Sequence, residues 1–474
     1  MRLRLARMKS AAVEYARLRA DLRYNRGMRH LIFISMILAA LALSACAAEN
    51  TPEPESSDPW DDGANPFANG KADGWDWIND PERFSRFLDE ALEYRLSELP
   101  TSGAVTKKAW PETYWPTFED STNARWLGAD TWSPLEKYDF VYNGWVPPQG
   151  FDELRPLTAE TCSDGSFDPA YYEALGPAAR WQSENRGHWR SHDGVDSDGD
   201  GEIDECSDWD GIDGWWGLCH AWTPAAILED EPTYPVVVND ITFYPSDLKA
   251  LMITIYDYSR AVVIGGRCKA QQVERDENGR IVDPNCRDTN AGAFHVIMSN
   301  FLGRYSMGFA EDRTYNDQVW NQPVDSYTVD RVEEISESEA MALLVDGGGE
   351  TYTFNEEASR WAEVEVSLNY VTESYPSQEP LLASHSDYLR EDRYNYVLEM
   401  DEEGRIIGGE WIQAGANGPL GGFSNQPDFL WMPIGPASNP TATPNGTPDP
   451  RRNPHLSYSK VTKLFEQAQF EPFE

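Results

Sequence analysis

The sequence predicts an α+β fold with a reactive cysteine near a helix N-terminus and a histidine and an aspartate on an antiparallel sheet. Three observations predict it. Residues 246–262, SDLKALMITIYDYSRAV, read as a buried helix. Beyond about residue 350 the pattern turns to strands, WAEVEVSLNYV and then YNYVLEMDEEGRIIGGEWI, with DEEG as a hairpin turn. Between the aromatic-rich front and that sheet lies GWWGLCHAW, residues 214–222, which carries Cys219.

The N-terminus reads as an export address. Residues 30–46, HLIFISMILAALALSAC, are apolar, too short for a comfortable bilayer span, and follow Arg29. The ending LSAC resembles a bacterial lipobox, which implies cleavage before Cys46 and a lipid anchor on that residue. An ordinary secretion signal ending near the same place is the alternative, and both readings take the mature chain out of the cytoplasm, as a membrane-anchored lipoprotein or a secreted protein. Met28 is a better start than Met1. Residues 1–46 are thus expected to be leader and signal peptide, and 47–75, rich in Pro, Gly, Asp and Ser, a flexible tether.

Charge narrows the partners. The chain carries 39 Lys/Arg and 80 Asp/Glu, a net −41. The first 30 positions hold nine of those basic and two of the acidic residues, so the rest carries 30 against 78. Such a surface excludes nucleic acid as an expected partner, because phosphate binding needs the opposite sign. Eighteen Trp and 22 Tyr exclude a disordered acidic chain.

In the expected domain, residues 76–435, the first element is an amphipathic helix over 83–98, with Phe84, Phe87, Leu88, Leu92 and Leu96 at helical spacing. KAWPETYWPTFEDSTNARWLG suits an irregular aromatic layer. VDSDGDGEIDE, residues 195–205, then sets carboxylates on alternate residues before a glycine, the opening of a calcium loop. Asp196, Asp198, Asp200, Glu202 and Asp204 are the expected ligands. Ser207 stands where an EF-hand has its bidentate Glu, so the loop is not an EF-hand, and a solvated acidic loop is the bland alternative. Calcium binding would make melting curves with calcium and with chelator differ; identical curves would exclude it. A coil and short helix, 436–474, close the chain.

Five cysteines follow Cys46, an odd number for an oxidising compartment. Cys268 and Cys286 flank one polar loop, and Cys162 and Cys206 bracket the segment before GWWGLCHAW, so two pairs, Cys162–Cys206 and Cys268–Cys286, leave Cys219 as the free thiol. A cysteine nucleophile needs a base and a group that orients the base. His295 lies in DTNAGAFHVIMSNFL, read as a strand, and YSMGFAED follows. A two-residue loop at Gly303-Arg304 sets Asp312 opposite His295. Pro224 fits only the first turn of a helix, so the helix after Cys219 is expected to begin between Ala221 and Thr223.

VWNQPV, residues 319–324, is similar to the core of the elicitor peptide of the transglutaminase elicitor family of plant-pathogenic water moulds. FAEDRTYNDQVWNQPV, GLCHAWTPAA, GAFHVI, WPETYWPTFEDSTNARW and the late GGEW and DFLWMP segments also resemble that family, over roughly residues 76–435. DSYTV replaces the more basic continuation of the elicitor peptide, so the resemblance does not imply elicitor activity. It implies a papain-like or transglutaminase-like site in which Cys219 attacks a peptide-bound glutamine, His295 moves protons and Asp312 orients His295. The substrates implied are proteins bearing Gln and Lys. The Cys219 backbone N–H supplies one oxyanion donor; Trp215, Trp216 and Trp222 are candidates for a second by proximity alone. A cysteine protease or glutamine deamidase with the same triad, and a non-catalytic surface binding module, remain the alternatives.

Overall fold

The computed structural model describes residues 76–471 except 157, 159–160, 162–164, 188–211, 267–273, 275–281, 314–317, 345–347, 350, 413–425 and 437–450. The export segment, the tether, Asp196, Asp198, Asp200, Glu202 and Asp204 therefore lie outside the described residues, as do Cys162, Cys206 and Cys268, one or both members of each expected disulfide. Among the described residues no helix is long and apolar enough to cross a membrane.

In chain order the elements before the nucleophile are α1 (Glu82–Ser85), β1 (Ser102–Ala104), α2 (Pro134–Tyr142), α3 (Ala170–Ala174) and α4 (Pro177–Arg186). Then follow α5 (Cys219–Leu228), β2 (Val236–Val238), β3 (Ile241–Phe243), α6 (Pro245–Tyr256) and β4 (Arg260–Ile264). The second half contains α7 (Ala291–Met298) with a π-helical continuation Ser299–Arg304, β5 (Ala310–Asp312), β6 (Asn321–Ile335) and α8 (Glu337–Leu344). It ends with β7 (Arg360–Val371), β8 (Leu389–Met400), β9 (Ile406–Trp411), β10 (Leu430–Gly435) and α9 (Tyr458–Gln467).

The α+β expectation holds. One antiparallel sheet runs β4-β10-β5-β6-β7-β8-β9, with β1 also paired to β6. The helix expected over 246–262 forms as α6 but ends at Tyr256, the last residues of that span belonging to β4, and the DEEG turn joins β8 to β9, with Gly404 at φ 75°. A positive φ suits glycine, which has no Cβ to clash. Most of the helix expected over 83–98 does not form. Only α1 is α-helical, with one 3-10 turn at Leu96–Glu98; Phe84 is buried from α1 and Leu92 from irregular chain, and Arg95 makes a β-bridge to Arg405. The helical spacing reflected burial rather than continuous helix, an instance of packing overriding local pattern.

Strand alternation gives the sheet two distinct faces. Leu430, Val324, Tyr394 and Tyr396 pack with Phe294 and Val296 of α7. Ala310 and Trp431, paired across β5 and β10, point the other way and pack with Cys219 of α5. Beyond α5, Trp110, Trp222 and the apolar side of α6 form the largest buried cluster.

Candidate active site

Cys219 is the first residue of α5, fully buried and a free thiol. The helix begins two to four residues before the expected point. Pro224 consequently sits in the second turn, where the helix forgoes the bond its N–H would have made to the His220 carbonyl. Placing the sulfur at the N-terminus of a ten-residue helix favours its thiolate. The entry is fixed from outside. Leu218 N–H donates to the Tyr114 carbonyl at 2.5 Å, and Thr117 N–H to the Trp216 carbonyl at 2.9 Å. Gly217 is required by this approach, since a Cβ there would meet Tyr114 Cδ2 at 2.5 Å and Tyr114 O at 2.6 Å.

The thiol faces β6. Its Sγ lies 3.7 Å from the Val319 carbonyl oxygen, and Asn321 Nδ2 donates to Sγ at 3.6 Å. Both groups belong to VWNQPV. That strand is tied to the nucleophile helix by Thr223 Oγ1, which donates to the Asn321 carbonyl at 2.8 Å. Asp312, directly opposite Asn321, accepts from the Trp320 N–H at 2.8 Å. Tyr114 and Trp320 meet edge to face with ring centres 5.6 Å apart.

His220 follows the nucleophile, and its Nε2 lies 2.8 Å from Asp257 Oδ1. Asp257 caps the C-terminus of α6, and its other oxygen accepts from Arg186 Nε at 2.8 Å. The arginine and the histidine both approach the ring of Tyr258. These charges set the protonation. Burial alone would lower the His220 pKa, but the hydrogen bond to Asp257 and the interaction with the Cys219 sulfur raise it to about 9. Burial likewise opposes the Asp257 charge, and Arg186 with His220 brings its pKa down to about 2. His220 Nδ1 is buried and makes no hydrogen bond of ordinary geometry. Catalytic contacts are commonly loose before substrate arrives, so a ring with one nitrogen engaged and the other left for the sulfur suits proton transfer.

Of the residues expected from sequence, Cys219 and Asp312 share this face and His295 does not. The expected hairpin is absent: residues 291–298 are helical, capped by Asn290, whose side chain accepts from the Gly292 and Ala293 N–H groups. The run AGAFHVIM is apolar all round, a pattern equally at home in a buried helix, and burial against β8 and β9 decided it. His295 Nδ1 lies 2.7 Å from the Tyr396 hydroxyl, on the sheet face opposite Cys219. Burial there pushes its pKa down to about 3, leaving it neutral. Trp222 is also corrected as an oxyanion donor, because its indole N–H is given to the Trp110 carbonyl at 3.1 Å.

Sequence reading missed His220, Asp257 and Asn321. The Cys-His dipeptide in GLCHAW was the available signal for the first. Asp257 could be suspected only as the acid that ends a buried helix, and Asn321 only as a polar residue at the buried start of a strand.

The transglutaminase elicitor family profile matches residues 80–147 and 194–470. Among solved structures, the GP42 transglutaminase from Phytophthora sojae is similar at 28% identity, with a TM-score of 0.58 over 82% of this chain and 98% of that one. No curated protein sequence matches closely. With the family matched over most of its length and the fold shared with that enzyme, the chain belongs to the transglutaminase elicitor family.

Proposed function

We propose that this chain is a transglutaminase acting outside the cytoplasm on Gln- and Lys-bearing proteins, with Cys219 as nucleophile and His220, oriented by Asp257, as proton carrier. The observation that carries it is the hydrogen-bonded chain Arg186–Asp257–His220 leading to a free thiol at a helix N-terminus. The likeness to the GP42 transglutaminase supports the substrate class, and the apolar export segment ending at Cys46 supports the location.

The raised pKa keeps His220 protonated at neutral pH, and the helix N-terminus favours the thiolate form of the sulfur beside it. The thiolate adds to the carboxamide carbon of a glutamine side chain. The C–N bond then breaks, and the departing nitrogen takes the His220 proton and leaves as ammonia. Neutral imidazole accepts a proton from a lysine amine as that nitrogen adds to the thioester carbon. The C–S bond breaks, releasing the isopeptide and restoring the ion pair. Water in place of the amine gives glutamate. Asp257 keeps the ring oriented throughout and compensates its positive charge.

The test is incorporation of a fluorescent primary amine into a glutamine-containing acceptor protein, beside Cys219→Ala. Label that needs the intact cysteine is expected, with a loss on the order of 10⁴-fold or more in the variant. Ammonia release without label would convert the proposal to a deamidase. Neither signal, from folded wild-type protein, would exclude both.

A further inference from the structure

We infer that the side-chain amide of Asn321 is a catalytic donor at this centre, stabilising the Cys219 thiolate before attack and the oxyanion after it. This deepens the transglutaminase reading and rests on it only where turnover is measured.

The orientation of the amide follows from its partner on the other side. Trp431 Nε1 lies 2.9 Å from Asn321 Oδ1, reaching over β5 from β10. An indole N–H can only donate, so the atom it meets must be the amide oxygen. The NH₂ group is therefore the end that faces Sγ, at 3.6 Å. Rotation of the amide would put two donors together and leave the carbonyl oxygen against a negative sulfur. The backbone is held as firmly, by Thr223 at the Asn321 carbonyl and by the β5 pairing to Asp312. Asn321 is 2% exposed, so water does not screen the interaction.

A donor held this way has its electrostatic cost settled before the reaction begins. A neutral thiol is a weak acceptor and gains little from it; a thiolate gains a charge-assisted bond. When sulfur adds to the carboxamide carbon, the negative charge moves to an oxygen separated from the sulfur by that one carbon. The same N–H group that reached the sulfur then lies beside the new charge. His220 occupies the proton-transfer side through Asp257, while Asn321 comes from β6, so the two groups act from different elements.

The experiment compares wild type, Asn321→Ala and Asn321→Asp for two readouts: the pH profile of Cys219 alkylation by iodoacetamide, and kcat and KM for amine incorporation. Asn321→Ala is expected to slow alkylation at pH 6 about tenfold by raising the thiol pKa, and to lower kcat about 100-fold with KM changed less than threefold. Asn321→Asp keeps the acceptor for Trp431 but sets a carboxylate against the thiolate, and should move the alkylation profile further. A residue that served only packing would leave the alkylation profile of the folded protein unmoved. If either variant, shown folded by circular dichroism, keeps the wild-type alkylation profile or the wild-type kcat, the inference is overturned; should Asn321→Ala not fold, Asn321→Asp decides. If wild type transfers no amine, the transglutaminase reading fails and the alkylation shift alone decides the role of Asn321.

Discussion

Two histidines on opposite faces of one sheet, His220 half-buried and His295 buried, carry opposite protonation. His220, beside Asp257 and the Cys219 sulfur, is pushed up to about 9. His295, whose polar neighbour is the Tyr396 hydroxyl, is pushed down to about 3. Burial opposes the charge of both; in His220 a carboxylate partner backed by an arginine, together with the Cys219 sulfur, reverses it. The difference teaches that burial alone makes an inert imidazole, and burial with a paired charge makes one fit for acid–base work.

The largest break in this comparison would come from activity. His220→Ala is expected to lower kcat for amine incorporation by about 10²–10⁴-fold. Asp257→Asn is expected to cost somewhat less and to bring the alkaline limb of the rate profile down from about 9 toward the ordinary histidine value of 6.5. His295→Ala should keep kcat within about threefold while losing roughly 1–3 kcal/mol of stability, from the broken Tyr396 hydrogen bond and the cavity. The reverse pattern, with His295 essential and His220 dispensable, would reinstate the His295–Asp312 arrangement expected from sequence.

A smaller effect separates the faces by pH. The raised His220 pKa contributes stability that is complete below about 6.5 and is lost as pH rises through about 9. The lowered Asp257 pKa contributes stability present above 3.8 and lost as pH falls through about 2. The α7 face gives way earlier on both flanks. His295 resists protonation in the fold, so stability declines as pH drops from 6.5 toward 3. Glu311, paired opposite Gln322 and bonded by the Tyr394 hydroxyl at 3.3 Å, is raised to about 8, mainly by burial and next by Asp392. Its contribution is complete below 4.5 and lost as pH rises through 8. Glu311→Gln should therefore flatten the alkaline decline of Tm between pH 5 and 8 while leaving the rate profile in place. An unchanged slope would remove Glu311 from this account.

The same contrast shows which parts of the molecule were legible. α6 and the β8–β9 hairpin could be read because their signals are local: an apolar run with no break, and a turn ending in a glycine that adopts φ 75°. The α7 segment could not, because eight apolar residues satisfy a buried strand and a buried helix alike. Asp312 was expected to orient His295, yet it accepts from the Trp320 backbone while His295 lies on the other face of the sheet.

By itself the sequence determined the α+β class, the free thiol and its place at a helix start, since each depends on residues close together along the chain. It also determined the family, through motifs such as VWNQPV. Only the tertiary structure decided which histidine lies on the same side of the sheet as Cys219, next to a buried carboxylate. That choice depends on Asp257 at the end of α6, Arg186 on α4 and Asn321 on β6 converging on one face of the sheet. Their separation along the chain carries no periodic signal, and the sheet that places His295 on the far side exists only once the strands have paired.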